Sequence, residues 1–280
     1  MILSIITINL NNAAGLEKTM RSVAAQTYKE FEYIVIDGAS TDRSVGVIKQ
    51  FESQFVHLKW ISEPDTGIYN AMNKGIRMAS GLYLEFLNSG DCLVGEDVVE
   101  RMLRALKTND NPTILYGNML KEMPDGTLRR NNGFAGQDIT MMGMFTGTLN
   151  HSPAYIKRDL FNDYGLYDEY LRIVSDWKWF TQAIVFRGEK PVYVDIDVTR
   201  FDMTGISETN KELNRSERKK VLDEMLPKAI LADYERFAFP VEQIERLKRH
   251  PWAYKMVWFL ERCLFKIEKL EAKRHNSLRR

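Results

Sequence analysis

The chain has 280 residues, enough for one large α/β domain, or for a domain of about 200 residues with an appendage. Hydrophobic residues make up 44% and charged residues 28%, as in soluble globular proteins, and a net charge of +1 offers no basic field to nucleic acid. Cys92 and Cys263 stand far apart without a CxxC motif, which excludes a disulfide framework and fits a reducing compartment.

The opening stretch MILSIITINLNN is apolar but short, and it turns polar at Asn9, Asn11 and Asn12. Without a basic n-region or a small-residue cleavage site it reads as a buried strand rather than a signal peptide. No stretch reaches the roughly 18 apolar residues needed to cross a bilayer, so a cytosolic protein is expected. Residues 2–8 (ILSIITI) form a continuous β-branched run, typical of a strand covered on both faces. Residues 16–25 place Leu16, Met20, Val23 and Ala24 on one helical face. YIVI (33–36) is a second strand ended by Asp37-Gly38, and Asp42 is then expected to N-cap a helix carrying Val45, Val47, Ile48 and Phe51. HLKWIS (57–62) alternates as a third strand, and a helix with Ala71, Met72, Ile76 and Met78 follows. LYLEFL (82–87) is a fourth strand, closed by Asn88-Ser89-Gly90-Asp91. This alternation predicts an α/β fold with a mostly parallel sheet and helices on both faces. Such sheets bind ligands beyond the carboxyl ends of their strands. Asn9, Asp37, Asp65 and Asp91 punctuate those ends and become candidate site residues.

The second half is less regular. TILY (113–116) reads as a fifth strand, and Pro124-Asp125-Gly126 signals the turn of a hairpin. Residues 131–149, rich in Gly, Met and Asn and without a period, are expected to form a mobile loop over the site. A helix near 176–186 and a strand near 191–196 follow, and from about 208 the pattern is helical and charged.

Each candidate carboxylate has a functional and a plain structural reading. Asp91, after a glycine that lets the backbone turn sharply, can hold Mg²⁺ or Mn²⁺ against a diphosphate, or it can cap a helix over 96–107. Asp37 can accept hydrogen bonds from a base or ribose, or close its strand with an Asx-turn. Asp65 lies in SEPDTGIYNAMNKG, where Lys74 follows on a short helix and can reach a phosphate as a point charge; the alternative is a capped helix with a solvated lysine. Asp176, in VSDWKWF, stands beside Trp177, Trp179 and Phe180, where poor solvation suits a general base; the alternative is an N-cap backed by core aromatics. His151 opens HSPAYI, and a lone histidine there is more often structural.

In order and spacing these segments resemble family 2 glycosyltransferases of the GT-A fold, of the type found in bacterial capsule, exopolysaccharide and O-antigen synthesis. The matching stretches are SIITINLNN, YIVIDGASTD, SEPDTGIYNAMNKGI, YLEFLNSGD, HSPAYIKRDLF and SDWKWF. The resemblance implies a Rossmann-like GT-A domain over 1–205, with a nucleotide-sugar half (1–110) and an acceptor and catalytic half (111–205), followed by a helical C-terminal extension (206–280). It implies that Thr7, Asn9 and Asp37 line the base and ribose pocket, and that Asp65 and Lys74 border the base and phosphates. Asp91 then matches the last carboxylate of a metal motif for Mn²⁺ or Mg²⁺, with Asn88 and Gly90 at donor-side positions that are often acidic. Asp176 matches the catalytic base, and His151 and Trp177 match donor or acceptor contacts. No C-terminal histidine ligand is evident. The implied reaction is inverting transfer of a sugar from a nucleoside-diphosphate sugar, such as a UDP-sugar, to a hydroxyl of a saccharide or lipid-linked saccharide.

Residues 241–280 carry eleven Lys or Arg against five Glu, an excess of six, with Trp252, Tyr254, Trp258, Phe259 and Phe265 among them. Such a helix suits either an anionic membrane surface or a packed or dimeric arrangement with a solvated basic face. Two other functions share the motifs. A sugar nucleotidyltransferase needs a Gly-rich basic first loop, whereas NLNNAAGLEK has one glycine and no arginine. A degenerate nucleotide-sugar binding protein fits Asn88 and Gly90, but not the presence of both Asp91 and Asp176.

Overall fold

The computed structural model describes residues 1–123, 125–203 and 205–277; Pro124 of the expected turn and residues 278–280 of the basic tail lie outside them. The chain divides into two compact units, 1–222 and 223–280.

The first unit is built on β1 (Leu3–Asn9), buried along its whole length. β2 (Glu32–Asp37), β3 (Leu58–Ser62) and β4 (Tyr83–Phe86) lie parallel in the order β3-β2-β1-β4. β1, β2 and β4 are buried at every position, and the β-branched runs of β1 and β2 suit strands covered on both faces, whereas β3 is only partly buried. The crossovers are α1 (Ala13–Ala24), α2 (Ser44–Phe51) and α3 (Ile68–Met78). The chain steps outward from β1 to β3, and α3 returns it to the other side of β1. Strand order thus reverses between β1 and β4, and the loops after these strands border the crevice where such sheets take ligands.

The remaining strands are β5 (Cys92–Leu93), β6 (Ile114–Glu122), β7 (Leu128–Asn131), β8 (Ala154–Lys157) and β9 (Val192–Asp202). β8 enters antiparallel between β4 and β6, and β9 runs parallel to β6 and antiparallel to β5. The β6–β7 hairpin forms as expected, its turn closed by Thr127, which donates through N and Oγ1 to Asp125 Oδ1. α4 (Val98–Thr108) joins α1 and α2 over one core layer, where Leu3, Ile5, Leu16, Met20, Ile48 and Met102 meet. α3 covers the opposite face so closely that a Cβ on Gly75 would lie 2.5 Å from Ile6 Cγ2.

Two expectations are corrected. α2 starts at Ser44 with Arg43 at the N-cap position, and Asp42 instead bridges two helix starts, accepting from Ser44 N and from Ala13 N of α1, each at 2.9 Å. The 131–149 segment contains α5 (Met141–Thr146), capped by Thr140 and anchored by buried Met141, Met144 and Leu149. Six residues are too few to display a helical period, so this helix was invisible to patterning. The first compact unit runs to residue 222 and takes in the start of α9 (Lys211–Met225), which Glu217 and Arg218 tie to it. Before α9 come α6 (Asp159–Tyr164), α7 (Ser175–Phe180), continued as a π-helical turn to Phe186, and α8 (Ile206–Thr209).

The second unit holds the end of α9, then α10 (Lys228–Lys248), with Pro240 inside it, and α11 (Pro251–Ser277). Among the described residues no helix is long and apolar enough to cross a membrane.

Candidate active site

At the carboxyl ends of the parallel strands, Asn9, Asp37 and Ser62 fall in one row across β1, β2 and β3. Asp37 is fully buried. It accepts from Asn9 Nδ2 at 2.8 Å, Ser40 N at 3.0 Å, Ser40 Oγ at 2.6 Å and Ser62 Oγ at 2.6 Å. Burial acts to raise its pKa, but the hydrogen bonds from Ser40, Ser62 and Asn9 outweigh it and hold the carboxyl below its ordinary value. Four donors fill the acceptor capacity of one carboxylate. As it stands Asp37 organises the 37–40 turn rather than offering an open acceptor to a base. Ala39 in that turn takes a left-handed φ of 59°, a strained choice for alanine, and Asn11 opposite takes 50°. Asn9 Oδ1 is buried without a partner.

Thr7 does not reach the crevice. Its hydroxyl is fully buried, donates to Leu87 O at 2.7 Å and meets Tyr33 OH at 3.0 Å. Position 7 faces the core side of β1, and its hydroxyl joins β1 to Tyr33 and Leu87. Lys74 is also committed. Its ammonium donates to Pro64 O at 2.9 Å and Asp65 Oδ1 at 2.6 Å and lies 2.9 Å from Glu63 Oε1. Burial lowers its pKa, but the hydrogen bonds to Asp65 and Glu63 prevail and raise it. Three partners match the three protons of an ammonium, so Lys74 staples the 63–65 loop to α3 instead of projecting towards a phosphate. Asp65 completes that staple and lies against Gly38, whose Cβ would stand 2.9 Å from Asp65 Oδ2.

The loop after β4 is the second element of the crevice. Asp91 is buried and caps no helix: Asp91 Oδ1 accepts from Asp202 N at 2.8 Å, joining the end of β9 to the 88–91 turn. Gly90 makes this possible. Its φ is 106°, and a Cβ there would lie 2.8 Å from Asp202 Oδ2. Burial pushes the Asp91 carboxyl up to about 7; the Asp202 N–H and Lys18 work against this, and the Asp202 charge adds to it. Asn88 Oδ1, in the same turn, is buried without a partner. Two carboxylates and an unfilled amide oxygen make an all-oxygen donor set of the kind that suits Mg²⁺ or Mn²⁺ completed by substrate phosphates. Among the described residues no group of three or more His, Cys, Asp or Glu gathers for a metal.

A third cluster surrounds Asp176, in the first turn of α7. Tyr69, on the first turn of α3, donates from its hydroxyl towards Asp176 Oδ1 at 2.7 Å and Ile173 O at 2.5 Å. His151 stacks on Phe86 of β4, ring centroids 4.8 Å apart, and its Nε2 meets Tyr167 OH at 2.8 Å. Burial holds the His151 pKa below its usual value against the nearby Asp176 charge, so the ring is neutral at pH 7. Trp177 is buried, its indole N–H donating to Met144 O at 2.8 Å and its face covered by Arg218 at 4.5 Å. It anchors the 131–149 segment through Met144.

Several functional positions escaped the sequence reading. Asn73 binds the backbone of Tyr167 on both sides, through Nδ2 to O at 2.9 Å and Oδ1 from N at 3.0 Å. With Asn70, which donates to Glu169 at 2.7 Å, it ties α3 to the strand of chain leading to Asp176. Buried Glu217 accepts from the amides of Arg172, Ile173 and Val174 at 2.7, 2.9 and 3.3 Å, just before α7. The asparagines at 70 and 73 share a helix face and were a usable signal; Glu217 and Asp202 had none.

Likeness to known proteins identifies the family and the fold. Residues 4–170 match the model of glycosyl transferase family 2. An uncharacterized glycosyltransferase of Mycobacterium tuberculosis is 34% identical over 204 residues, covering 72% of this chain and 76% of its own. A PGL/p-HBAD biosynthesis glycosyltransferase of Mycobacterium bovis is 30% identical over 179 residues, 62% of this chain and 66% of its own. Among solved structures, S. aureus TarS 1–349 in complex with UDP-GlcNAc superposes with a TM-score of 0.64 at 17% identity, covering 85% of this chain and 73% of that one. The mannosyltransferase PcManGT from Pyrobaculum calidifontis, in complex with GDP-Man and Mn²⁺, gives 0.63 at 17% identity, covering 90% and 72%. With its sheet reversal, its carboxylate-bearing turn after β4 and its matched family model, the chain belongs to glycosyl transferase family 2 and is a glycosyltransferase of the GT-A fold.

Proposed function

We propose that the enzyme moves a sugar, with inversion, from a nucleoside-diphosphate sugar to a hydroxyl of a saccharide or lipid-linked saccharide in bacterial surface polysaccharide synthesis. The observation that carries this reading is the Asp91–Asp202 carboxylate pair, built across Gly90 at the carboxyl end of β4. A UDP-sugar is the proposed donor, supported by the likeness to a TarS structure holding UDP-GlcNAc. Asn9, with its unfilled Oδ1, and the strained 37–40 turn form the base and ribose side of the crevice. Asp91 and Asp202, with Asn88, are the residues proposed to hold Mn²⁺ or Mg²⁺, which when bound offsets negative charge on the leaving diphosphate.

Asp176 is the proposed general base. Its Oδ1 takes the Tyr69 hydroxyl, and among the described residues nothing hydrogen-bonds Oδ2. Asp176 removes the proton from the acceptor hydroxyl as that oxygen bonds to the anomeric carbon. The bond from that carbon to the diphosphate oxygen breaks on the opposite face, and its electron pair leaves with the diphosphate. The Tyr69 hydroxyl, which is not a base at neutral pH, holds the carboxylate in place. General-base catalysis of this kind contributes about 10²- to 10⁴-fold. Asp176→Asn is expected to keep nucleotide binding, measured by thermal shift, while release of nucleoside diphosphate in the presence of acceptor falls by that factor. Parallel loss of binding and transfer would reject this role for Asp176.

A further inference from the structure

α11 of the second unit exposes apolar side chains along most of its length. Trp252 is 71% exposed, Phe259 65% and Leu270 63%. At 3.6 residues per turn, Trp252, Met256, Leu260, Ile267 and Leu270 fall within an arc of about 80°. Lys255, Arg262, Lys266 and Lys269 fall within a separate arc of about 60° beside it. Glu261 and Glu268 lie on the side away from those cations. Aromatic rings border the basic stripe: Phe259 between it and the apolar arc, Trp258 and Phe265 on its far edge. Arg262 lies over the Trp258 ring at 5.4 Å, and Lys269 Nζ over the Phe265 ring at 5.3 Å.

We propose that α11 lies in the surface of an anionic lipid bilayer, with its apolar arc in the acyl boundary and its cationic stripe on lipid phosphates. The helix is too charged to span, whereas a helix with one apolar arc, one basic stripe and interfacial aromatics is suited to lie flat. Charge complementarity chooses this occupant over a second copy of the chain. Met256, Leu260, Ile267 and Leu270 are spaced by four, seven and three residues, as in a paired-helix seam. Such a seam is narrow. It would leave Trp258, Phe259 and Phe265 in water, each more than half exposed, and would give the basic stripe no partner. An anionic lipid surface accounts for both features at once.

The test is flotation of the full-length protein with phosphatidylcholine vesicles, with and without phosphatidylglycerol. Binding is expected only with phosphatidylglycerol, and it should weaken as salt rises through the physiological range, where the screening length is about 8 Å. Each cation near such a surface is worth about fivefold in partitioning, so Lys255→Gln, Arg262→Gln, Lys266→Gln and Lys269→Gln together should weaken binding by several hundred-fold. A second variant, Trp252→Ser with Leu260→Ser, tests the apolar arc, and far-ultraviolet circular dichroism confirms that both variants keep their helices. Absence of binding to phosphatidylglycerol vesicles, or binding unchanged in both variants, overturns the proposal. So does a dimer in sedimentation that the apolar variant dissolves while vesicle binding is absent; the face would then be an interface between copies.

Discussion

Gly90→Ala tests the site's geometry without replacing a proposed ligand. A Cβ at this position meets Asp202 Oδ2 at 2.8 Å, and the φ of 106° is one that alanine rarely adopts. The backbone penalty for such a residue is of order 1–3 kcal/mol. Relief of the clash requires Asp202 to withdraw, which weakens its N–H bond to Asp91, a charged-group hydrogen bond worth about 1.5–3 kcal/mol. Partial relaxation of each gives an expected loss of roughly 2–4 kcal/mol, or about 5–12 °C in melting temperature for a unit of this size. The site should suffer a separate effect. With Asp202 displaced, the oxygen donor set loses one carboxylate, and metal-dependent affinity should fall about 10- to 100-fold, as when a supporting ligand shell is disturbed. The assay is a thermal-shift titration of UDP with and without Mn²⁺. Wild type is expected to gain about 2.7 kcal/mol at 100 times its Kd with metal present. Gly90→Ala should need far more nucleotide and Mn²⁺ for the same gain, while its response to UDP alone stays that of wild type. A variant that is destabilised yet shows the wild-type metal-dependent gain would refute the pairing of Asp91 with Asp202 at a metal.

Glu217→Gln replaces one acceptor oxygen with a donor facing the amides of 172–174. Because these amides lead directly into α7, turnover should fall between about tenfold and 10²-fold, the scale of a small misplacement of a catalytic group. Nucleotide affinity should not change, and hydrogen exchange at residues 172–174 should quicken. Unchanged exchange together with unchanged turnover would remove Glu217 from any positioning role. Glu85 on β4 offers a test of the core. It is fully buried against the Tyr155 hydroxyl, and burial, opposed by the hydrogen bond from Tyr155, raises its pKa from 4.5 to about 8. A raised folded pKa means that its contribution is complete below pH 4.5 and is lost as pH rises towards 8. At pH 7 keeping it protonated costs about 3 kcal/mol. Glu85→Gln cannot ionise, so its advantage in urea unfolding should grow from nearly nothing at pH 4.5 to a few kcal/mol at pH 7; an advantage equal at both pH values would show that Glu85 does not titrate in the core.

The strands β1 to β4 and helices α1 to α3 are legible in the sequence because their signal is local: apolar period, turn residues and strand length all lie within one segment. The carboxyl-end rule then places Asn9, Asp37, Asp65 and Asp91 at one edge of the sheet without coordinates, and the motif order singles out Asp176. What each of these residues has left to offer a ligand is a tertiary matter. Asp37 is filled by Ser62 from a neighbouring strand, Lys74 by the Glu63–Asp65 loop, and Thr7 by Tyr33 and Leu87. A hydrogen-bond donor or acceptor identified from sequence carries no information about how much of its capacity is already taken. The same limit hides the partners that complete the site. Asp202 reaches Asp91 across 111 residues, and Glu217 reaches the approach to α7 across more than 40. Neither lies in a segment whose composition hints at its partner, because what joins them is the pairing of β9 and the packing of α9, and these exist only once the chain has closed on itself.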